Sequence, residues 1–87
     1  MVQRTLNDAL AGHKDERVVL RGWVHRRRRL SAVAFLILRD RSGLAQVVVS
    51  DDATKAELDA LPEETVVEVE GTVTANDKAP GGFEVTA

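Results

Sequence analysis

Apolar and polar residues alternate along several short stretches of the chain, most clearly in TVVEVEGTVTA, residues 65–75. Val67, Val69 and Val73 fall on one face of an extended chain, and the glutamates and threonines between them fall on the other. Because successive side chains of a strand point to opposite faces, this period of two predicts a strand with one buried face.

Four more stretches have the composition of strands. Each is rich in β-branched or other apolar residues and lies beside glycine, proline or acidic residues that favour turns. Gly22, inside the first stretch, predicts the bend or bulge that a curling barrel strand needs. A tight turn, DRSG, joins the second to the third. The four stretches are RVVLRGWVHR (17–26), VAFLILRD (33–40), LAQVVVS (44–50) and FEVTA (83–87), with the loop NDKAPGG (76–82) before the last.

A short helix is predicted before the first strand, in TLNDALAG, residues 5–12. Thr5 and Asp8 form a capping pattern at its start, because a hydroxyl three residues ahead of an acid can satisfy free backbone N–H groups. Gly12 predicts its end.

A second short helix, ATKAELDAL (53–61), is expected to be capped by Asp51 or Asp52 and to end before Pro62. The order of elements is then helix, three strands, helix and two strands. This order predicts an all-β fold with short helices, a five-stranded Greek-key barrel of the OB type, as one domain over residues 1–87. Folds of this type bind oligonucleotides or oligosaccharides on the exposed face of strands two and three.

Composition excludes several classes of protein. The 87 residues are 44% hydrophobic, enough for one small core and too much for a disordered tail. No apolar run approaches the roughly 20 residues of a membrane helix, and the first ten residues have no apolar signal-peptide core. The absence of cysteine removes disulfides and thiolate metal sites. We therefore expect a cytoplasmic protein that does not bind membranes.

Charge is distributed unevenly along the chain. The net charge is −2, yet residues 17–50 carry eight arginines and one acid, whereas residues 51–87 carry ten acids and two lysines. A local basic field attracts a polyanion whatever the total charge, so the first half points to nucleic acid. The alternative is that the arginines only keep a sheet edge in solution.

The sequence offers little chemistry for catalysis. His13 and His25 have no cysteine partner and no histidine at metal-ligand spacing. Ser31, Ser42 and Ser50 lie outside any nucleophile-elbow pattern. We therefore expect no catalytic residue and no metal site.

The predicted hairpin brings together residues that are suited to binding a base. With the DRSG turn between its strands, Ile37 pairs with Gln46 and Phe35 pairs with Val48, so these side chains share one face. Phe35 and Gln46 become diagonal neighbours, roughly 7–8 Å apart. An aromatic ring stacks on a base, and an amide both donates and accepts hydrogen bonds at its edge. From the pattern alone, Phe35 could equally be a core residue, and Trp23 is expected to pack.

At this point the chain resembles a known family. GWVHRRRRL, followed by F-x-x-L-R-D-R-x-G and a glutamine, is similar to the N-terminal anticodon-binding domain of class II aspartyl-tRNA synthetases and their asparaginyl relatives. NDKAPGGFEV is similar to the archaeal-type branch. The resemblance covers nearly the whole chain.

The resemblance implies roles for individual residues. Phe35 would stack on the middle anticodon base, a uracil, and Gln46 would hydrogen-bond to it. Arg28 would contact the anticodon backbone and bases from the loop after the first strand, and Glu84 would lie near the first base. Asn76 and Lys78 would lie in the loop that reads the last base. The complete set expected to bind RNA is Arg26, Arg27, Arg28, Arg29, Phe35, Gln46, Asn76, Lys78 and Glu84.

The chain departs from the family pattern in two places. Arg29 stands where the family usually has aspartate, and Ser31 where it usually has glycine. A gained cation is expected to strengthen nonspecific attraction to phosphates and to loosen discrimination. The resemblance also implies a longer enzyme. We expect the fifth strand to stop before the barrel closes comfortably, as in a partial domain or a stand-alone derivative.

The expected partner is therefore the anticodon loop of a tRNA, with a catalytic domain in the same chain if these residues are a fragment. ATP and magnesium would belong to that catalytic domain, which would also form any homodimer. The sequence does not separate aspartyl from asparaginyl or dual specificity. Two alternatives stay open: a general single-stranded nucleic-acid binder, and a protein-interaction domain that has lost RNA binding.

Overall fold

The computed structural model describes residues 4–30, 32–62 and 64–87. Strands dominate; one short helical segment precedes them and two more lie between strands. The elements are two 3₁₀ helices, η1 (Asn7–His13) and η2 (Pro80–Gly82), one α-helix, α1 (Asp52–Ala60), and the strands β1 (Arg17–Arg29), β2 (Ala34–Asp40), β3 (Gly43–Val49), β4 (Val66–Ala75) and β5 (Phe83–Thr86).

The five strands form a closed barrel in the order β1-β2-β3-β5-β4. All neighbours are antiparallel except β3 and β5, which are parallel. Alternate residues of β2 and β3 point inward to the core, as the period of two predicts, whereas β1 buries Val18, Val19 and Leu20 in succession. The most deeply buried core residues are Leu20, Val24, Leu38, Ala45, Val47, Val73 and Val85. The predicted OB fold is confirmed.

β5 closes the barrel although it is only four residues long. It pairs with β3 from Gln46↔Glu84 to Val48↔Thr86, and with β4 along its whole length. The backbone N–H of Ala87 also donates to the Val48 carbonyl. The expectation that the barrel does not close comfortably by Ala87 is therefore wrong.

β1 is longer than predicted. Residues 17–23 pair with β4, and residues 23–29 pair with β2 as far as Arg29↔Ala34. The arginine run, predicted to lie in the loop after β1, therefore belongs to the strand. β2 offers a paired backbone along this whole length, and arginine side chains can reach solvent from a strand. The register shifts between Val24 and Arg26 rather than at Gly22.

Two glycines lie where strands approach each other most closely. A Cβ on Gly22 would clash with the Arg39 carbonyl, and one on Gly71 would clash with the Thr86 carbonyl and lie 2.6 Å from a Val85 methyl. Gly22 directly precedes Trp23, the residue at which β1 passes from pairing with β4 to pairing with β2. Both positions let the sheet curve into a barrel, which is a recognised use of glycine in strands.

The N-terminal helix forms, but its predicted cap does not. η1 is a 3₁₀ helix, and no side chain caps it from Leu6. Instead, the backbone N–H of Asn7 donates to the Asp40 carboxylate at 2.8 Å, and the Asn7 amide donates to the carbonyls of Leu38 and Gly43. A carboxylate from the β2–β3 turn thus replaces the local cap predicted from Thr5.

The α-helix agrees with the sequence reading. Asp51 is its N-cap and accepts a hydrogen bond from the Thr54 backbone N–H at 2.9 Å. The helix ends at Ala60, before Pro62, and its Leu58 side chain is buried in the core cluster of the barrel.

Candidate nucleic-acid interface

Phe35 and Gln46 lie on one outer face of the barrel, as the hairpin geometry predicted. The ladder pairs Phe35 with Val48 and Ile37 with Gln46. All four side chains are half-buried, whereas Leu36 and Val47 beside them are core residues. The aromatic ring is therefore partly open to solvent on a surface that also carries an amide.

The β1–β2 ladder divides the arginine run between two surfaces. Arg28 pairs with Phe35 and Arg26 with Ile37, and paired residues share a face. Arg26 and Arg28 therefore lie on the face of Phe35 and Gln46, which we call the aromatic face. It consists of Arg26, Arg28, Phe35, Ile37, Gln46, Val48 and Glu84.

The other two arginines contact α1. Arg27 donates from Nη1 to the carbonyls of Leu58 and Leu61 at the C-terminal end of the helix, where the Leu58 carbonyl also accepts from the Leu61 backbone N–H. Arg29 forms an ion pair with Asp59. Arg29, the cation expected to strengthen phosphate attraction, thus already has an acidic partner. Ser31, the second departure from the family pattern, lies outside the described residues.

Acidic residues neutralise β1 selectively. Arg17 pairs with Glu70 at 3.0 Å and Arg21 with Glu68 at 2.6 Å across the β1–β4 ladder. In the part of the chain that the structure describes, no ion pair involves Arg26 or Arg28. Arg26 and Arg28, both on the aromatic face, are therefore arginines of β1 whose guanidinium groups have no ion-pair partner among the described residues.

Gln46, Asn76 and Glu84 form one hydrogen-bonded group. Glu84 Oε1 accepts from Gln46 Nε2 at 2.9 Å and from Asn76 Nδ2 at 2.7 Å. The backbone N–H of Lys78 donates to Asn76 Oδ1 at 3.0 Å. The parallel register of β3 and β5 places Glu84 directly beside Gln46. Of the residues that only the resemblance connected to RNA, Glu84 contacts Gln46 directly, Asn76 is linked to it through Glu84, and Lys78 joins the group only through its backbone N–H.

Trp23 lies on the outer surface of β1, between Arg39 of β2 and Val66 of β4. Its side chain is half-buried, and the Val66 side chain beside it is 76% exposed. Trp23 and Arg39 extend the outer surface beyond Ile37. The sequence reading treated Trp23 only as a packing residue.

The described residues do not indicate a metal site or a membrane-spanning helix. Across residues 4–30, 32–62 and 64–87, no group of three or more histidine, aspartate or glutamate side chains could hold a metal ion. No helix among those described is long and apolar enough to cross a membrane.

Comparisons with known proteins agree with this geometry. The chain is 43% identical over 86 residues to an asparagine–tRNA ligase of Thermus thermophilus, which covers 94% of the chain. It is 49% identical over 74 residues to an aspartate–tRNA(Asp/Asn) ligase of Methanococcus vannielii, which covers 80% of it. The chain spans about a fifth of the length of these curated relatives, 20% of the first and 17% of the second.

A solved structure and a protein-family model are also similar to this chain. The crystal structure of asparaginyl-tRNA synthetase from Pyrococcus horikoshii superposes with a TM-score of 0.89 at 33% identity, covering 99% of this chain and 22% of that one. Residues 18–87 match the tRNA anticodon family, described as an OB-fold nucleic acid binding domain. The chain therefore belongs to this family of anticodon-type OB-fold nucleic acid binding domains.

Proposed function

We propose that this domain holds the anticodon loop of a tRNA on the aromatic face and reads a uracil at its middle position. It would serve an aspartate- or asparagine-specific tRNA ligase whose catalytic domain, with its ATP and magnesium, lies outside these residues. The observation that carries the proposal is the Arg28–Phe35 pair, because it sets a free cation beside a partly exposed ring, with Gln46 nearby.

Stacking on Phe35 would supply affinity that depends little on the base. Stacking of a base on an aromatic side chain contributes about 1–3 kcal/mol. Ile37 and Val48 flank the ring and extend the apolar surface. Gln46 would add discrimination through the edge of the stacked base, because its amide carries both a donor and an acceptor.

Arg26 and Arg28 would bind the phosphates on either side of the stacked base. In the described part of the chain neither forms an ion pair, so no internal bond has to be broken. We assign a smaller share to Arg27 and Arg29, because both already bind α1. Following the resemblance, Glu84 would lie near the first base, and Asn76 and Lys78 near the last.

The test is titration of the domain with an anticodon stem-loop RNA at about 50 and 200 mM salt, where phosphate contacts differ measurably in strength. Uracil and cytosine are compared at the middle position, for the unchanged chain and for Phe35→Ala. Val66→Ala is the matched control, because it removes an exposed apolar side chain elsewhere on the barrel.

We expect uracil to be preferred, and Phe35→Ala to weaken binding about tenfold or more while Val66→Ala leaves it unchanged. Equal binding of both loops that disappears with salt would instead indicate a general single-strand binder. No binding even at low salt would indicate an interaction domain. Either result would contradict the proposal.

A further inference from the structure

The hydrogen bonds around Glu84 have fixed directions. The backbone N–H of Lys78 can only donate, so the Asn76 atom that it contacts must be the carbonyl oxygen, and the Asn76 NH₂ group must face Glu84. An ionised carboxylate can only accept. Gln46 must therefore also turn its NH₂ group toward Glu84.

This constraint decides which amide atom Gln46 can offer to a ligand. With Nε2 held by Glu84, the carbonyl oxygen Oε1 points away from β5. Among the described residues, none donates a hydrogen bond to Gln46 Oε1. One Nε2 hydrogen is bound to Glu84 and the second remains a donor, but the bond fixes where the acceptor Oε1 lies, whereas an isolated glutamine could exchange the positions of its oxygen and its NH₂ group.

The Watson–Crick edges of the bases respond differently to an acceptor. Uracil carries an N–H donor at N3 and guanine one at N1, whereas cytosine N3 and adenine N1 are acceptors that would oppose Gln46 Oε1. An unpaired acceptor facing another acceptor loses the hydrogen bonds that both made to water, so the mismatch weakens binding.

We infer that Glu84 is a positioning residue that fixes the polarity of the Gln46 amide, so that the aromatic face selects bases with an imino N–H donor. The inference rests on the proposed function, since it needs a base stacked on Phe35. It gives Glu84 a role at the middle base that does not require Glu84 to touch that base. Its second oxygen, Oε2, is left for other contacts.

The decisive variant is Glu84→Lys. An ammonium group can only donate, so Gln46 must turn Oε1 toward residue 84 and present its NH₂ group to the ligand. Dissociation constants are measured for stem-loops with uracil, cytosine, guanine and adenine at the middle position. Glu57→Lys is the control, because it makes the same charge change on an exposed position of α1.

In the unchanged domain we expect uracil to bind more tightly than cytosine, and guanine more tightly than adenine, by about two- to tenfold. Glu84→Lys should invert the uracil-to-cytosine ratio, whereas Glu57→Lys should raise all affinities and leave the ratio unchanged. The side-chain NH₂ resonances of Gln46, observed by NMR without RNA, should shift in Glu84→Lys and not in Glu57→Lys.

Glu84→Gln provides the test if the lysine variant does not fold. A glutamine at residue 84 can accept or donate, so the polarity of Gln46 is no longer fixed and the uracil-to-cytosine ratio should fall toward one. A ratio that stays unchanged in the folded variant would overturn the inference. Failure of Phe35→Ala to weaken binding would overturn the proposed function instead, so the two failures are distinguishable.

Discussion

Arg28 of β1 lies directly opposite Phe35 of β2 on the outside of the barrel. Side chains at such paired positions have Cβ atoms about 4.5–5.5 Å apart, so the cation and the ring are held side by side by the backbone itself. An RNA strand that stacks a base on the ring brings its own phosphates to the cation. Because alternate arginines of the run lie on different surfaces, we expect them to have different roles.

Arg28→Ala should weaken binding of the stem-loop without changing stability. Removal of one phosphate contact should reduce the slope of log affinity against log salt by about 0.7, the value for a single strand. The melting temperature should stay the same, because no side-chain hydrogen bond or ion pair of Arg28 is present in the described part of the chain. An unchanged salt slope would contradict this assignment.

Arg27→Ala should instead lower the stability of the domain and have little effect on RNA binding. Its guanidinium donates to two carbonyls at the end of α1, and hydrogen bonds to charged groups contribute about 1.5–3 kcal/mol. For a domain of this size, each kcal/mol lost should lower the melting temperature by roughly 4–8 °C. Thermal unfolding followed by circular dichroism measures the effect, and Arg28→Ala is the control.

Asp59→Asn should release Arg29 for RNA. The exposed ion pair itself contributes little, about 0.2–1 kcal/mol, so stability should barely change. The freed cation should raise affinity for any single-stranded RNA and steepen the salt dependence. If affinity for an unrelated RNA stays the same in Asp59→Asn, Arg29 does not reach the strand.

Gly71→Ala should destabilise the barrel strongly. Its Cβ would meet the Thr86 carbonyl and the Val85 side chain, so β4 and β5 must separate or shift, at a cost of roughly 1–3 kcal/mol or more. Gly12→Ala is the matched control, because a Cβ there meets nothing within 4 Å. Chemical denaturation of both variants tests the difference, and equal midpoints would contradict the close approach.

Asp40 should make stability depend on pH in the acid range. Burial raises the pKa of its carboxyl group, but hydrogen bonds from the Ser42 hydroxyl and from the backbone N–H groups of Asn7, Ser42 and Gly43 outweigh burial and lower the pKa overall. A lowered folded-state pKa contributes stability above the ordinary carboxyl pKa of about 3.9, and this stability is lost as pH falls through the folded value.

Melting temperatures between about pH 5 and pH 2 test this expectation. Asp40→Asn should be less stable near neutrality and should lose less on acidification. Some acid dependence should remain, because hydrogen bonds from the Thr54 backbone and hydroxyl lower the pKa of Asp51 in the same direction. Parallel curves for the two proteins would exclude Asp40 as a source of acid sensitivity.

The sequence predicted the register of the β2–β3 hairpin correctly because a local turn sets it. Once the Asp40–Gly43 turn is recognised, parity alone places Phe35 and Gln46 on one face, and a slip of one residue would reverse every side chain. The strand from Val66 to Ala75 was also predicted correctly, because its apolar and polar residues alternate with a period of two and show no helical period.

The contacts of the arginine run could not be read in the same way. Four identical residues carry no periodicity, so nothing in the run separates Arg27 from Arg28. Only the length of the β1–β2 ladder shows that the strand continues through them. The contact between Glu84 and Gln46 was also hidden, because parallel β3–β5 pairing joins residues far apart in sequence without a local turn. The Asp40 contact with η1 was hidden as well, because it joins residues 33 positions apart that are not neighbours in a strand ladder.

The position of β5 in the chain has a consequence for the order in which this domain acquires its properties. During synthesis from the N-terminus, Arg28, Phe35 and Gln46 leave the ribosome well before Glu84. Without β5, no strand lies between β3 and β4, and Gln46 lacks the carboxylate that accepts from its NH₂ group. On the proposed reading, an immature chain can already attract RNA, but it distinguishes one base from another only when the final four-residue strand is in place.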